Sequence, residues 1–231
     1  MRSTGAGNAP VLWSGVKPTS LDHVALWVAE RDAIADFAVA HLGMHVIERT
    51  DRFTLIGADA RRGKLTLFEA DGPREPGRLA RVGLRVRDLA SARAALPAAT
   101  PETFEVGEGL VLTLVEGETD IDYDLDHVAL LSPDPEAAAG EWLRYGFEPA
   151  GPRRVAVGGA YLELVEADVR EAERPLLNHL GVLVDQAAPA QELGVEVADV
   201  VDAPNTFAVF VWGPDRVKLE YVEHKASFSL H

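Results

Sequence analysis

The 231 residues contain no cysteine. That absence excludes disulfides, thiol nucleophiles, zinc fingers and thiolate-held iron–sulfur clusters, so any metal has to rest on His, Asp or Glu. Positive charge is scarce too: 22 Lys and Arg against 37 Asp and Glu leave a formal charge of −15. Such a surface repels phosphate backbones and argues against nucleic acid as a partner. No apolar run reaches the roughly 18 residues needed to cross a bilayer. The opening MRSTGAGNAPVLWSG lacks the continuous apolar stretch of a secretory signal. A cytoplasmic protein without membrane contact is therefore expected. A hydrophobic share of 47% excludes disorder as the default. The length suits one large or two small domains. Alanine-rich composition and arginine in excess of lysine are associated with GC-rich bacterial genomes.

What the chain does contain is a repeat. One pattern reads LDHVALWV from Leu21, ARVGLRV from Ala80, LDHVALLS from Leu125 and LNHLGVLV from Leu177. A second, interleaved with it, reads LTLFE from Leu65, LTLVE from Leu112, LELVE from Leu162 and LEYVE from Leu219. Both are short, rich in Val and Leu and close to period-two alternation, as strands are. Between them lie helical stretches. AERDAIADFAVAHLGM places Ile34, Phe37, Ala38 and Leu42 at helical spacing and stops at Gly43. PDPEAAAGEWLRYGF opens on prolines and stops at Gly146. Shorter helices are expected at Leu89–Leu96 and near Ala187–Leu193. RRVAVGGAYLELVE reads as a hairpin turning at Gly158-Gly159. The chain thus reads as four related modules, each a strand, a helix and about three strands. The acidic stretch DIDYDLD, Asp120–Asp126, is expected to be a polar join between halves.

Four βαβββ modules with a DHVAL first strand, a helix ending in LG or YGF and a last strand carrying LE resemble the vicinal oxygen chelate superfamily. Its members include glyoxalase I, extradiol dioxygenases, bleomycin- and fosfomycin-resistance proteins and hydroxyphenylpyruvate dioxygenase. The resemblance runs from about Pro18 to Glu223. It implies an α+β fold of two tandem half-open barrels, with a tail over 1–17, an N-terminal domain over 18–119 and a C-terminal domain over 120–231. It also implies one divalent metal per working half, held by the first and last strands of paired modules.

Compared column by column, the first-strand position holds His23, Arg81, His127 and His179, and the last-strand position holds Thr66, Thr113, Glu163 and Glu220. Pairing modules in chain order leaves the N-terminal half with one imidazole, two hydroxyls and a permanent cation, a poor cage for an ion. The C-terminal half receives His127, Glu163, His179 and Glu220. These suit one divalent ion, Fe(II), Mn(II), Ni(II), Co(II) or Zn(II). On this reading His23 is a packed or hydrogen-bonded histidine without a metal role.

The resemblance implies an enzyme acting on a small molecule that chelates the metal through neighbouring oxygens. Four protein ligands favour glyoxalase-like isomerase or lyase chemistry, with Glu220 or Glu163 detaching as the base. The alternative is extradiol-type Fe(II) dioxygenase chemistry on a His127, His179 and Glu220 triad. The signature Tyr of that group, about ten residues before the Glu, is replaced by Phe210, and its acid–base His has no evident counterpart, Asn205 being the nearest polar residue. A metal-free sequestering protein of the bleomycin-resistance kind is a third class, which the intact quartet argues against. Phe207, Phe210, Trp212, Arg154 and Asn205 are the candidate substrate-binding residues. A homodimer is compatible with all three readings.

Overall fold

The computed structural model describes residues 15–228. Most of the tail expected over 1–17, with the opening read above for signal character, lies outside the described residues. The first module runs β1 (Pro18–Val28), α1 (Arg31–His41), β2 (His45–Arg49), β3 (Phe53–Gly57) and β4 (Lys64–Glu69). The second is one strand shorter: β5 (Leu79–Val86), α2 (Leu89–Ala95), β6 (Thr103–Gly107) and β7 (Leu110–Glu116). The third is complete, with β8 (Asp124–Ser132), α3 (Pro135–Trp142), β9 (Glu148–Gly151), β10 (Arg154–Val157) and β11 (Ala160–Glu166). In the fourth, β12 (Leu177–Val184), β13 (Val197–Asp202), β14 (Thr206–Trp212) and β15 (Lys218–His224) carry a short 3₁₀ stretch over Ala188–Glu192 in place of the α-helix. Pro189 stands in its first turn, where the missing amide hydrogen costs nothing, and Gly194 at positive φ follows its end. None of the described helices is long and apolar enough to cross a membrane.

Local sequence explains the helices. Asp134 accepts a hydrogen bond from the Ala137 amide at 3.0 Å, and Pro135 occupies the first turn of α3. Asp88 caps α2 in the same way through the Ser91 amide, also at 3.0 Å. Helix α1 has no side-chain cap and is held by Ile34, Ala35 and Ala38, which it buries against the sheet. Gly43 and Gly146 both stand at positive φ past the helical stretches, as the sequence requires.

Within each module the first and last strands pair in parallel, and two modules then join through their first strands in antiparallel. Module order differs from expectation. The eight-stranded sheet runs β13-β14-β15-β12-β1-β4-β3-β2, uniting the first module with the fourth. The seven-stranded sheet runs β6-β7-β5-β8-β11-β10-β9, uniting the second with the third. Neither sheet belongs to 18–119 or to 120–231. The size of facing residues limits the possible partners. His23 stands opposite Gly181, and His127 opposite Gly83. A Cβ on either glycine would overlap the imidazole across from it. Each DHVAL strand therefore needs a glycine opposite its histidine, which excludes pairing β1 with β8, while β5 and β12 both supply one and the glycines do not choose between them.

The acidic join is likewise no linker. Asp124 and Asp126 are buried in β8, where Arg62 and Arg85 neutralise them. One continuous core of Leu, Val, Ile and aromatic side chains runs between both sheets and the helices. Trp142 is among its largest members, fully buried against Tyr145 and Phe147 with ring centroids 5.4 and 5.1 Å away. Trp142→Ala is expected to cost about 3–5 kcal/mol of unfolding free energy, read from urea denaturation. A loss below about 1 kcal/mol would show that this contact is not part of the cooperative core.

Candidate metal centre

The first–fourth sheet brings three ligand-type side chains together at its middle. His23 comes from β1, His179 from β12 and Glu220 from β15, and all three are buried. His23 Nε2 lies 3.0 Å from His179 Nε2 and 3.0 Å from Glu220 Oε2, and His179 Nε2 lies 2.9 Å from the same oxygen. Two donors about 2.1 Å from one ion and at right angles to each other stand about 3 Å apart. The triangle thus has the edge lengths of one face of a six-coordinate shell, and its donor set suits a divalent first-row ion.

The surrounding residues hold this arrangement. Asp22 Oδ2 accepts from His23 Nδ1 at 2.8 Å, which turns Nε2 toward the triangle, where it becomes a ligand once deprotonated. Lys64, itself buried, faces the other Asp22 oxygen as an ion pair at 3.0 Å. Asn178 Oδ1 stands 3.1 Å from His179 Nδ1 and fixes the second ring in the same sense. The protonation states follow from burial and charge. Burial pushes the His23 imidazole down, but Glu220 and Asp22 together outweigh it and raise its pKa to about 9. Burial would raise the Glu220 carboxyl, yet His23 and His179 hold it well below the usual carboxylate range. His179 is pushed down, burial outweighing the pull of Glu220. Without metal, the pull of Glu220 and Asp22 therefore favours the protonated form of His23 near pH 7.

A cavity of about 440 Å3 opens onto the triangle. Phe53, Phe68, Phe210 and Phe228 line it, with Thr66, Asn205 and His224 among its polar members. The ring of Phe210 meets His179 edge-on at 5.1 Å, and His224 stacks on Phe228 at 3.8 Å. Of the residues expected to bind substrate, Phe210 and Asn205 line this cavity. Phe207 instead packs against the core, and Trp212 lies in a separate cleft of about 140 Å3 beside Trp27.

The expected quartet of His127, Glu163, His179 and Glu220 is not brought together. His179 and Glu220 lie in one sheet, and His127 and Glu163 in the other. His23, expected to have no metal role, completes the triangle. Around His127 the chemistry differs. Arg81 Nε lies 3.2 Å from His127 Nε2, and Arg81 Nη2 pairs with Glu163. Arg154, expected to bind substrate, takes the other Glu163 oxygen at 2.7 Å. Burial would raise the Glu163 carboxyl, but the two guanidiniums hold it down, so it is not free to act as a base. Gly83 and Gly181 mark β5 and β12 as the strands that face a histidine, but each fits either histidine, so the sequence carried no local signal for which one.

With fold and site in view, the chain's relatives are informative. It belongs to the Glyoxalase/Bleomycin resistance protein/Dioxygenase superfamily, whose family model matches residues 20–221. No curated protein matches it in sequence. Among solved structures it is similar to a candidate dioxygenase of Bacillus subtilis subsp. subtilis str. 168, with a TM-score of 0.73, 17% identity and 90% and 86% of the two chains covered. Glyoxalase I from Zea mays aligns with a TM-score of 0.66 and 14% identity over 90% and 93%. The cppA protein of Streptococcus pneumoniae TIGR4 aligns with a TM-score of 0.62 and 16% identity over 90% and 100%. At these identities the likeness is one of fold.

Proposed function

We propose that the chain is a metal-dependent enzyme whose divalent ion is held by His23, His179 and Glu220, and that its chemistry is oxygenase-like. One observation carries this reading: two imidazoles and one carboxylate form a triangle of 2.9 to 3.0 Å edges, while the fourth column position holds Thr66 instead of a carboxylate. A two-His, one-carboxylate face with open positions is the donor set of non-haem Fe(II) oxygenases. The preference for isomerase chemistry rested on a fourth carboxylate, and the position beside this triangle has none. When bound, the ion would supply Lewis acidity toward neighbouring substrate oxygens and, as Fe(II), electron exchange with O2.

The chain's own residues supply the rest. Asp22 keeps His23 Nε2 aimed inward, and Lys64 keeps Asp22 ionised. The four phenylalanines form an apolar wall suited to a flat, largely apolar molecule and exclude water from around it. His224 lines this cavity and is assigned the role of accepting the proton of a chelating hydroxyl. Burial pushes its imidazole below the ordinary value, so it is neutral and receptive near pH 7. The test is anaerobic reconstitution with Fe(II), followed by O2 uptake with catechols as probes. Oxygen consumption that depends on the catechol supports the reading. Turnover of a hemithioacetal with Ni(II), Co(II), Mn(II) or Zn(II), without O2 and with no catechol-dependent uptake, would overturn it in favour of isomerase chemistry.

A further inference from the structure

The second–third sheet repeats the geometry of the metal centre position by position around different side chains. His127 faces Gly83 as His23 faces Gly181, and Arg81 faces Ala129 as His179 faces Ala25. Glu163 stands beside Ala129 where Thr66 stands beside Ala25. Across the next strand pair, Arg154 opposes Glu163 as Leu55 opposes Thr66.

We infer that this sheet contains a latent divalent-metal cage, built on His127 and Glu163, in which the guanidinium of Arg81 occupies the place of the ion. Three observations carry the inference. The His127 ring is already poised as a ligand: Nδ1 meets Asp126 Oδ2 at 2.8 Å, so its Nε2 lone pair is free and points at Arg81 Nε, 3.2 Å away. Asp126 is supported from behind by Arg85 at 2.6 Å, as Asp22 is by Lys64. Finally, the Glu163 carboxylate turns toward the same point and pairs with Arg81. A guanidinium is a permanent cation with donors spread in a fork, so it satisfies one imidazole and one carboxylate at once and cannot be deprotonated to admit an ion. An imidazole at position 81 would instead restore two histidines and one carboxylate.

The double variant Arg81→His/Arg154→Leu copies the first sheet's residue types at both positions. Loaded with zinc(II), desalted and measured by elemental analysis, it is expected to hold one more equivalent per chain than its parent. Adding His127→Ala should remove that extra equivalent. A double variant that melts cooperatively and gains no zinc overturns the inference. A measurement on the native cage guards against misfolding of the double variant: His127→Ala alone should leave zinc content unchanged, and a loss of one equivalent would show that Arg81 does not fill the ion's place. Failure of the first-sheet reading has a different signature, a parent that binds no zinc while the double variant still gains one.

Discussion

His23→Ala is expected to lower the affinity for a divalent ion by more than about 100-fold, since losing a ligand exceeds the 10–100-fold typical of outer partners. His127→Ala is expected to leave it unchanged. The two histidines sit in the same LDHVAL words and are indistinguishable locally, so the contrast depends wholly on which strands are neighbours. His23 meets His179 and Glu220 at 3.0 Å each, whereas His127 meets a guanidinium. Calorimetric titration of zinc(II) or Mn(II) into each variant decides the matter, with melting curves to show that both fold. The opposite ranking would return the ion to the second–third sheet and remove the basis for the triangle.

The second large effect is one of pH. His23 is held in its protonated form near pH 7 by a pKa of about 9, while Glu220 is ionised and His179 neutral. An incoming ion must displace that proton, so affinity is expected to rise about tenfold per pH unit between pH 7 and 9 and then level. Stability of the metal-free protein should move the other way. A histidine whose folded pKa exceeds its unfolded value of 6.5 contributes stability fully present below 6.5 and lost as pH rises through 9. The rise in melting temperature on adding metal should accordingly widen over that interval. An affinity that is flat from pH 7 to 9 would remove His23 from the ligand set.

Much of the architecture was legible because the repeat is long-range and redundant. Four copies of two strand patterns define modules whatever their packing, and the helix stops at Gly43 and Gly146 stand where the residues put them. Partner choice was not legible in the same way. Period-two alternation states which face of a strand is buried, but nothing about which strand lies alongside it. Chain order was the natural default, and it placed His127 beside His179. Gly83 and Gly181 clear space for a facing imidazole, but each suits either histidine, so they show that β5 and β12 face the DHVAL strands without choosing the partner. The acidic stretch misled for a related reason: Asp124 and Asp126 look solvated in isolation, while Arg62 and Arg85 bury them. Glu163 and Glu220 are equivalent in the alternation, yet one faces two guanidiniums and the other two imidazoles.

The nesting of one module pair inside the other has a consequence for how the chain acquires its shape. Strands β5 to β11 form a self-contained sheet whose members all leave the ribosome before β12 does. Strand β1 waits for a partner whose key residue is 156 positions away from its own histidine. Closing so long a loop is slow relative to local pairing. A newly made chain is therefore expected to pass through a stage in which the inner sheet is paired and β1 still presents an open edge, the kind of edge that invites aggregation. His23 meets His179 and Glu220 only when β1 pairs with β12, so metal uptake at this triangle, if measured during refolding, is expected to follow closure of the outer sheet.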